Sequence, residues 1–152
     1  MSGGVQLFGS RSSQAAKIPD YLMARLMLVR MLPLALLVAA AGAWINDVQD
    51  GGPYVLRNLV PPVVILALAA LTLQRGAGKW TGSGWRLPLG TLGFAVPALG
   101  LSVYLHYAYA VNLNDLFADA GNPGQLFRFL PVYTLVAGGI GFAIGWIAGK
   151  NV

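Results

Sequence analysis

The amino-acid sequence predicts an all-α membrane protein with four transmembrane helices joined as two hairpins. Of the 152 residues, 57% are hydrophobic and only 10% are charged, and the mean hydropathy is +0.65. This composition excludes an ordinary soluble domain, because a soluble surface needs far more charge. Four apolar stretches, each close to the roughly 20 residues that cross a bilayer, alternate with short polar segments. The predicted spans are residues 21–45, 54–73, 87–111 and 129–148.

A short basic segment, residues 74–86, separates the two hairpins and indicates which side of the membrane each end faces. It contains three cations and no acid, and its four glycines disfavour a helix. Its tryptophans, Trp80 and Trp85, have amphipathic rings suited to the headgroup layer. We therefore expect a cytoplasmic loop.

Residues 1–20 precede the first span and are rich in Ser and Gly, so we expect a flexible cytoplasmic arm. The uncharged part of the first span, residues 31–45, is too short to cross a bilayer alone. The helix must therefore include Arg30, whose side chain extends towards the headgroups. The alternative is a secretory signal peptide cleaved after the small residues 39–43, but we expect a retained helix.

Prolines inside the spans predict bent helices within the transmembrane domain, residues 21–150. Pro61 and Pro62 lie in the second span, and Pro62 removes a backbone donor, so this helix is expected to kink or restart. Pro97 lies in the middle of the third span and predicts a second kink.

The segments opposite the basic loop are acidic and rich in turn-forming residues, which is typical of the outer side. Residues 46–53 contain two aspartates, and residues 112–125 form a longer outer loop with two more. The longer loop is also expected to contain a short amphipathic piece on the outer surface, which comprises Leu113, Leu116 and Phe117.

The charge distribution orients the bundle. Eight cations and the acid Asp20 fall on the predicted inner side, whereas Arg57, Arg128 and four aspartates fall outside. Because cytoplasmic loops are enriched in cations, we expect a multi-pass protein of the inner (plasma) membrane with both termini in the cytoplasm. This bias explains the net charge of +5, so we expect no nucleic-acid partner. The inner cations are Arg11, Lys17, Arg25, Arg30, Arg75, Lys79, Arg86 and Lys150.

The two hairpins contain the same landmarks in the same order. Each has an inner Arg before Leu-Pro-Leu, an acidic outer turn with Gly and Pro, and a returning Arg followed by proline. One interpretation is a parallel internal repeat about an axis along the membrane normal. The other is that such residues recur in any polytopic protein. The landmarks are Arg30, Pro33, Arg57 and Pro61 in the first hairpin and Arg86, Pro88, Arg128 and Pro131 in the second.

His106 is the only histidine and lies near the outer end of the third span, among three tyrosines. It is the one candidate for a cofactor-binding residue, as an axial ligand, a proton relay or part of a quinone site. We favour an aromatic belt in which His106 is hydrogen-bonded to a neighbour, and we predict no cofactor. The chain has no cysteine, which excludes disulfides and thiolate metal ligands. No catalytic residue and no metal site are predicted.

The outer charges have two interpretations. Arg57 and Arg128 could line an access path for an anion or substrate, but we favour a role in salt bridges or headgroup contacts that hold the loops. The aspartates could bind a cation outside, although aspartates beside glycine are common in turns. No carboxylate is predicted deep in a span, which weakens the case for an ion-coupled carrier. The four aspartates are Asp47, Asp50, Asp115 and Asp119.

Glycines in the fourth span predict a helix-packing seam. Gly141, Gly145 and Gly149 are four residues apart and therefore share one helix face, and Gly138 precedes them. The seam would pack against another helix of this chain or of a partner. Residues 39–43 offer a second small-residue surface on the first span.

The function that these observations favour is a non-catalytic integral membrane subunit of a larger inner-membrane complex, which provides helix packing, anchoring or assembly. We do not expect an enzyme. Its partners would be other membrane protein subunits and lipid. One alternative is a small homo-oligomeric transporter or channel, which the kinked helices and the duplication favour. Another is a redox, quinone-binding or pigment-binding subunit that uses His106.

Overall fold

The computed structural model describes residues 20–115, 117 and 123–152, and all regular structure within these residues is helical. Four helical segments are each long and apolar enough to cross a membrane, which confirms the all-α, four-span prediction. The chain is a multi-pass membrane protein. The predicted arm before Asp20, and Leu116 and Asp119 of the longer loop, lie outside the described residues.

The spans succeed one another as antiparallel neighbours. The loop of residues 76–85 lies at one end of the bundle, which we call the basic end. Residues 49–54 and 111–115 lie at the other, which we call the acidic end. The helices are α1 (Asp20–Val48), α2 (Val55–Asn58), α3 (Val60–Arg75), α4 (Arg86–Ala110) and α5 (Leu126–Ala148), and single 3-10 turns cover Leu113–Asp115 and Pro123–Gln125.

The first and last helices extend beyond the predicted spans at the acidic end. α1 continues past residue 45 and includes Asp47, and α5 begins before residue 129 and includes Arg128. The prediction placed these span boundaries at uncharged residues. Both charged side chains are exposed, so the backbone can stay helical while the charges reach the headgroups or water.

The second span is interrupted at Leu59, just before Pro61 and Pro62. Neither proline has an amide hydrogen, so neither can bond the carbonyl four residues earlier, at Arg57 and Asn58. α2 therefore ends at Asn58, and α3 restarts with the two prolines in its first turn, where the missing donors are tolerated.

The Asn58 side chain joins the interrupted turn to α5. Asn58 is buried, and its Nδ2 donates to the Tyr54 carbonyl at 3.1 Å and to the Phe127 carbonyl at 3.2 Å. The side chain of Asn58 thus ties the short helix before the break to the first turn of α5.

α4 and α5 make more contact than any other pair of described helices, and glycine makes their close approach possible. A Cβ atom on Gly141 would overlap the carbonyl of Gly93, and one on Gly145 would overlap the carbonyl of Leu89. Gly149 is similarly close to the start of α4. The seam glycines of α5 therefore face a helix of the same chain, where direct backbone contact supplies van der Waals attraction.

Each of these two helices places an aromatic ring over a glycine of the other helix. A Cβ on Gly138 would lie 2.8 Å from Cε2 of Phe94, and a Cβ on Gly90 would lie 2.8 Å from Cε2 of Phe142. Pro97 also packs on this seam, and α4 remains helical through it.

The remaining helices pack less closely. α3 meets α4 through Ile65, Phe94 and Ala98 and through the paired hydroxyls of Thr72 and Thr91, whose oxygens are 3.2 Å apart. The most apolar stretch of α1 has no buried residue. α1 is therefore peripheral to a core built mainly from α3, α4 and α5.

The loop at the basic end is held to α1 by Arg30, whose Nη1 donates to the carbonyl of Gly78. Gly78 and Gly84 have φ values of 82° and 91°, a conformation that glycine adopts without steric cost. Arg30, which is expected to extend towards the headgroups, bonds the loop that follows α3.

Replacing Gly145 by Ala is expected to destabilise the fold by about 1–3 kcal/mol, because the new methyl group collides with the backbone of α4. Gly139 is a matched control on the same helix, since nothing lies within 4 Å of a Cβ placed there. The measurement is the free energy of unfolding of each purified variant in mixed micelles. Equal losses in the two variants would contradict the assigned seam.

Candidate functional site

A cluster of polar and aromatic side chains lies inside the bundle at the acidic end. α4 supplies His106 and Ser102, which are one helical turn apart and both buried. Trp44 comes from α1, Gln49 follows the end of α1, and Phe127 comes from the first turn of α5. We call these five residues the His106 cluster. It joins three of the four spans at one point.

Both nitrogens of the His106 ring have hydrogen-bond partners. Nδ1 lies 2.8 Å from the carbonyl oxygen of Ser102, and Nε2 lies 2.9 Å from Nε2 of Gln49. A carbonyl only accepts, so Nδ1 carries the hydrogen and donates it. Nε2 then accepts from the amide of Gln49. The geometry therefore fits a neutral imidazole whose orientation is fixed by two different helices.

Aromatic rings enclose the imidazole. The Phe127 ring stacks on it, with the ring centroids 4.7 Å apart and the planes inclined by 29°. The Trp44 ring lies 5.8 Å away at an angle of 49°, and Tyr109 meets Phe127 edge-on at 4.9 Å. His106 is fully buried, whereas its neighbours Tyr104 and Tyr107 are exposed on the membrane-facing side. The exposed tyrosines can form the expected aromatic belt, whereas His106 lies behind them in the interior of the bundle.

The hydrogen bonds limit what His106 can do chemically. The Oγ of Ser102 lies 3.5 Å from Nδ1, but that nitrogen already donates to a backbone carbonyl, so it cannot take the serine proton. A ligand on Nε2 would have to displace Gln49. The described residues contain no group of three or more His, Cys, Asp or Glu side chains that could hold a metal ion. The arrangement is best suited to fixing α1, α4 and α5 together.

A cavity of about 260 Å³ adjoins the cluster and shares Gln49 and Phe127 with it. Asn58 bonds the backbone carbonyls of Tyr54 and Phe127, two residues that line this cavity, and its Oδ1 is buried without a hydrogen-bond partner in the described part of the chain. Such an atom is usually satisfied by a bound water or ligand. A cavity of this volume can hold water or a small polar molecule. Its other lining residues are Gly52, Pro53, Tyr54, Tyr109 and Gly124.

The outer charges surround the acidic end without joining the His106 cluster. Arg57 lies exposed on α2, and the exposed Arg128 has its Cζ 5.5 Å from the centroid of the Phe129 ring. Asp115 accepts a hydrogen bond of 3.0 Å from Nδ2 of Asn112. Asp47 and Asp50 are exposed, and Asp119 lies outside the described residues. Arg128 therefore lies against a ring of its own helix.

Sequence reasoning did not identify the partners of His106. Ser102 could have been found, because residues four apart share a helix face. Asn58 and Thr72 also carried a signal, since polar side chains inside an apolar span usually mark an internal contact. Gln49 could not be found, because it follows α1 and reaches His106 only through the packing of the helices.

The fold and the cluster together define a multi-pass helical membrane protein with a buried polar cluster at one end of the bundle. No protein-family model, no curated protein and no solved structure matches the chain. Functional inference therefore rests on the chain's own residues and contacts.

Replacing Gln49 by Leu is expected to lower the free energy of unfolding by about 1–3 kcal/mol, because it leaves the buried Nε2 of His106 without a partner. Gln125 is exposed at the same end of the bundle, so Gln125→Leu is the matched control and should change stability little. Detergent-solubilised protein unfolded by heat or denaturant provides the measurement. If both variants behaved as the wild type, the hydrogen bond would have no structural role.

Proposed function

We propose that the chain is a non-catalytic integral membrane subunit that contributes helix packing or anchoring to a larger membrane complex. The observation that carries this proposal is the position of α1. Its most apolar stretch has no buried residue, whereas 39%, 33% and 17% of the corresponding stretches in the other three spans are buried. A span that adds so little to its own bundle is suited to packing against another protein.

The outward face of α1 has the composition of a helix-packing surface. Ala35, Ala39 and Ala43 are all exposed and are spaced four residues apart, and Leu32 and Leu36 flank them. Small residues at this spacing let two helix backbones approach closely within a bilayer. The inward face of α1, around Leu34 and Ile45, is already occupied by the rest of the chain.

The interior polar groups support a structural role over solute transport. The hydroxyls of Thr72 and Thr91 bond each other, and Thr134 donates to carbonyls of its own helix. His106 is engaged by Gln49 and by the backbone. These groups are used in holding helices together, which leaves them poorly placed to coordinate a passing ion or solute.

The proposed topology has the basic end in the cytoplasm of a cell with an inner (plasma) membrane, and therefore both termini inside. It is supported by the cations that collect at the basic end, since positive residues favour the cytoplasmic side. Under this topology both hairpins begin inside, as the predicted internal repeat requires.

The topology can be tested by cysteine labelling, because the chain contains no cysteine of its own. Asn46 is exposed at the acidic end and Ser83 is exposed in the basic loop. We expect an impermeant thiol reagent to label Asn46→Cys in intact cells and Ser83→Cys only after the cells are opened. The reverse pattern would show that the orientation is inverted.

The subunit proposal predicts that other membrane proteins remain bound in fixed stoichiometry when the protein is extracted from its native membrane in mild detergent. Sizing and mass spectrometry of the extract provide the measurement. The triple variant Ala35→Leu, Ala39→Leu and Ala43→Leu should lose these proteins, because the larger side chains keep a second backbone away.

The control is Gly139→Leu, which enlarges an exposed position on α5 and should retain the bound proteins. A wild-type protein recovered alone, or only with copies of itself, would contradict the subunit proposal. It would instead favour the homo-oligomeric transporter or channel.

A further inference from the structure

An apolar groove runs along the membrane-facing surface between α3, α4 and α5 at the basic end. Its volume is about 540 Å³, and Arg75 is the one charged side chain among the described residues that line it. The walls are formed by aliphatic and aromatic side chains, among them Leu71, Phe142 and Trp146. A groove with such walls matches a hydrocarbon chain rather than a water-soluble molecule.

Two guanidinium groups lie at the basic-end mouth of this groove. Arg75 is the last residue of α3 and is exposed. Arg86 is the first residue of α4, is also exposed, and has its Cζ 6.0 Å from the centroid of the Trp146 ring. Stacking on an indole holds a guanidinium in place while its N–H groups remain available. The mouth therefore presents two cations beside the apolar groove, and the guanidinium of Arg86 is held by an indole ring.

The charge around the mouth is strongly biased towards cations. The residues that the structure places at the basic end include six cations, against the acid Asp20 at the start of α1. The first turn of α4 has no side-chain cap, so its free amides add to the positive potential. The six cations are Arg25, Arg30, Arg75, Lys79, Arg86 and Lys150.

We propose that this groove binds an anionic phospholipid, with one acyl chain along the apolar walls and the phosphate between Arg75 and Arg86. Guanidinium groups bind phosphate oxygens through paired, charge-assisted hydrogen bonds. No acidic residue is among the described residues that line the groove, so the mouth offers little to attract the ammonium group of a zwitterionic lipid. Basic pockets between membrane helices are a recognised form of anionic-lipid site.

The proposal is tested by native mass spectrometry of the full chain, titrated with phosphatidylglycerol or with phosphatidylcholine of the same acyl composition. The wild type is expected to retain phosphatidylglycerol in preference to phosphatidylcholine. The double variant Arg75→Gln, Arg86→Gln should bind it roughly tenfold or more weakly. Arg57→Gln, Arg128→Gln removes the same charge from the acidic end and should bind as the wild type does.

A second pair of variants tests the apolar half of the site without changing any charge. Ala143 lines the groove, so Ala143→Phe should weaken the retention of phosphatidylglycerol. Val136 is exposed on the same helix outside the groove, so Val136→Phe should not.

Three results would overturn the proposal. The first is equal retention of the two lipids by the wild type. The second is an equal loss in the two double arginine variants. The third is full competition by glycerol phosphate, which shares the headgroup chemistry but has no acyl chain and would indicate a site for soluble anions. None of these results depends on whether the chain belongs to a larger complex.

Discussion

The backbone contact between α4 and α5 is the interaction on which the rest of the bundle depends. Lipid is as apolar as the side chains, so helices in a bilayer are held by close packing and by polar contacts rather than by exclusion of water. Glycines on both helices bring carbonyl oxygens of α4 directly against α5. The Phe94 and Phe142 rings then fill the space that the missing side chains leave. α3 packs on the α4 side of this pair, and α1 packs mainly on α3.

Each end of the bundle is fastened by a different kind of polar contact. At the acidic end, His106 joins α4 to the residues that follow α1 and lies against the Phe127 ring of α5. At the basic end, Arg30 of α1 donates to a loop carbonyl at Gly78. Both contacts involve α1, the helix with the least apolar packing of its own. Directional hydrogen bonds thus position a helix that side-chain packing alone would leave loosely attached.

The sequence predicts the four spans well because a bilayer demands a long apolar run from every helix, and such runs are visible residue by residue. The spacing of Gly141 and Gly145 likewise marks one helix face, although not the helix that it meets. The exact position of the break at Leu59 is harder to predict from the sequence, because two prolines permit either a bend or a restart. The sequence does not predict the hydrogen-bond partner of His106, since Gln49 is distant along the chain and reaches the ring only through tertiary packing.

The interruption at Leu59 separates the second span into two parts with different attachments. The longer part, α3, packs with α4, whereas α2 is tied by Asn58 to the first turn of α5. The second span is therefore held to both helices of the glycine seam, to α4 by side-chain packing and to α5 by a hydrogen bond. Because the Phe127 carbonyl that accepts this bond lies in the first turn of α5, the break at Leu59 places Asn58 where it fixes the acidic end of the second span against the fourth.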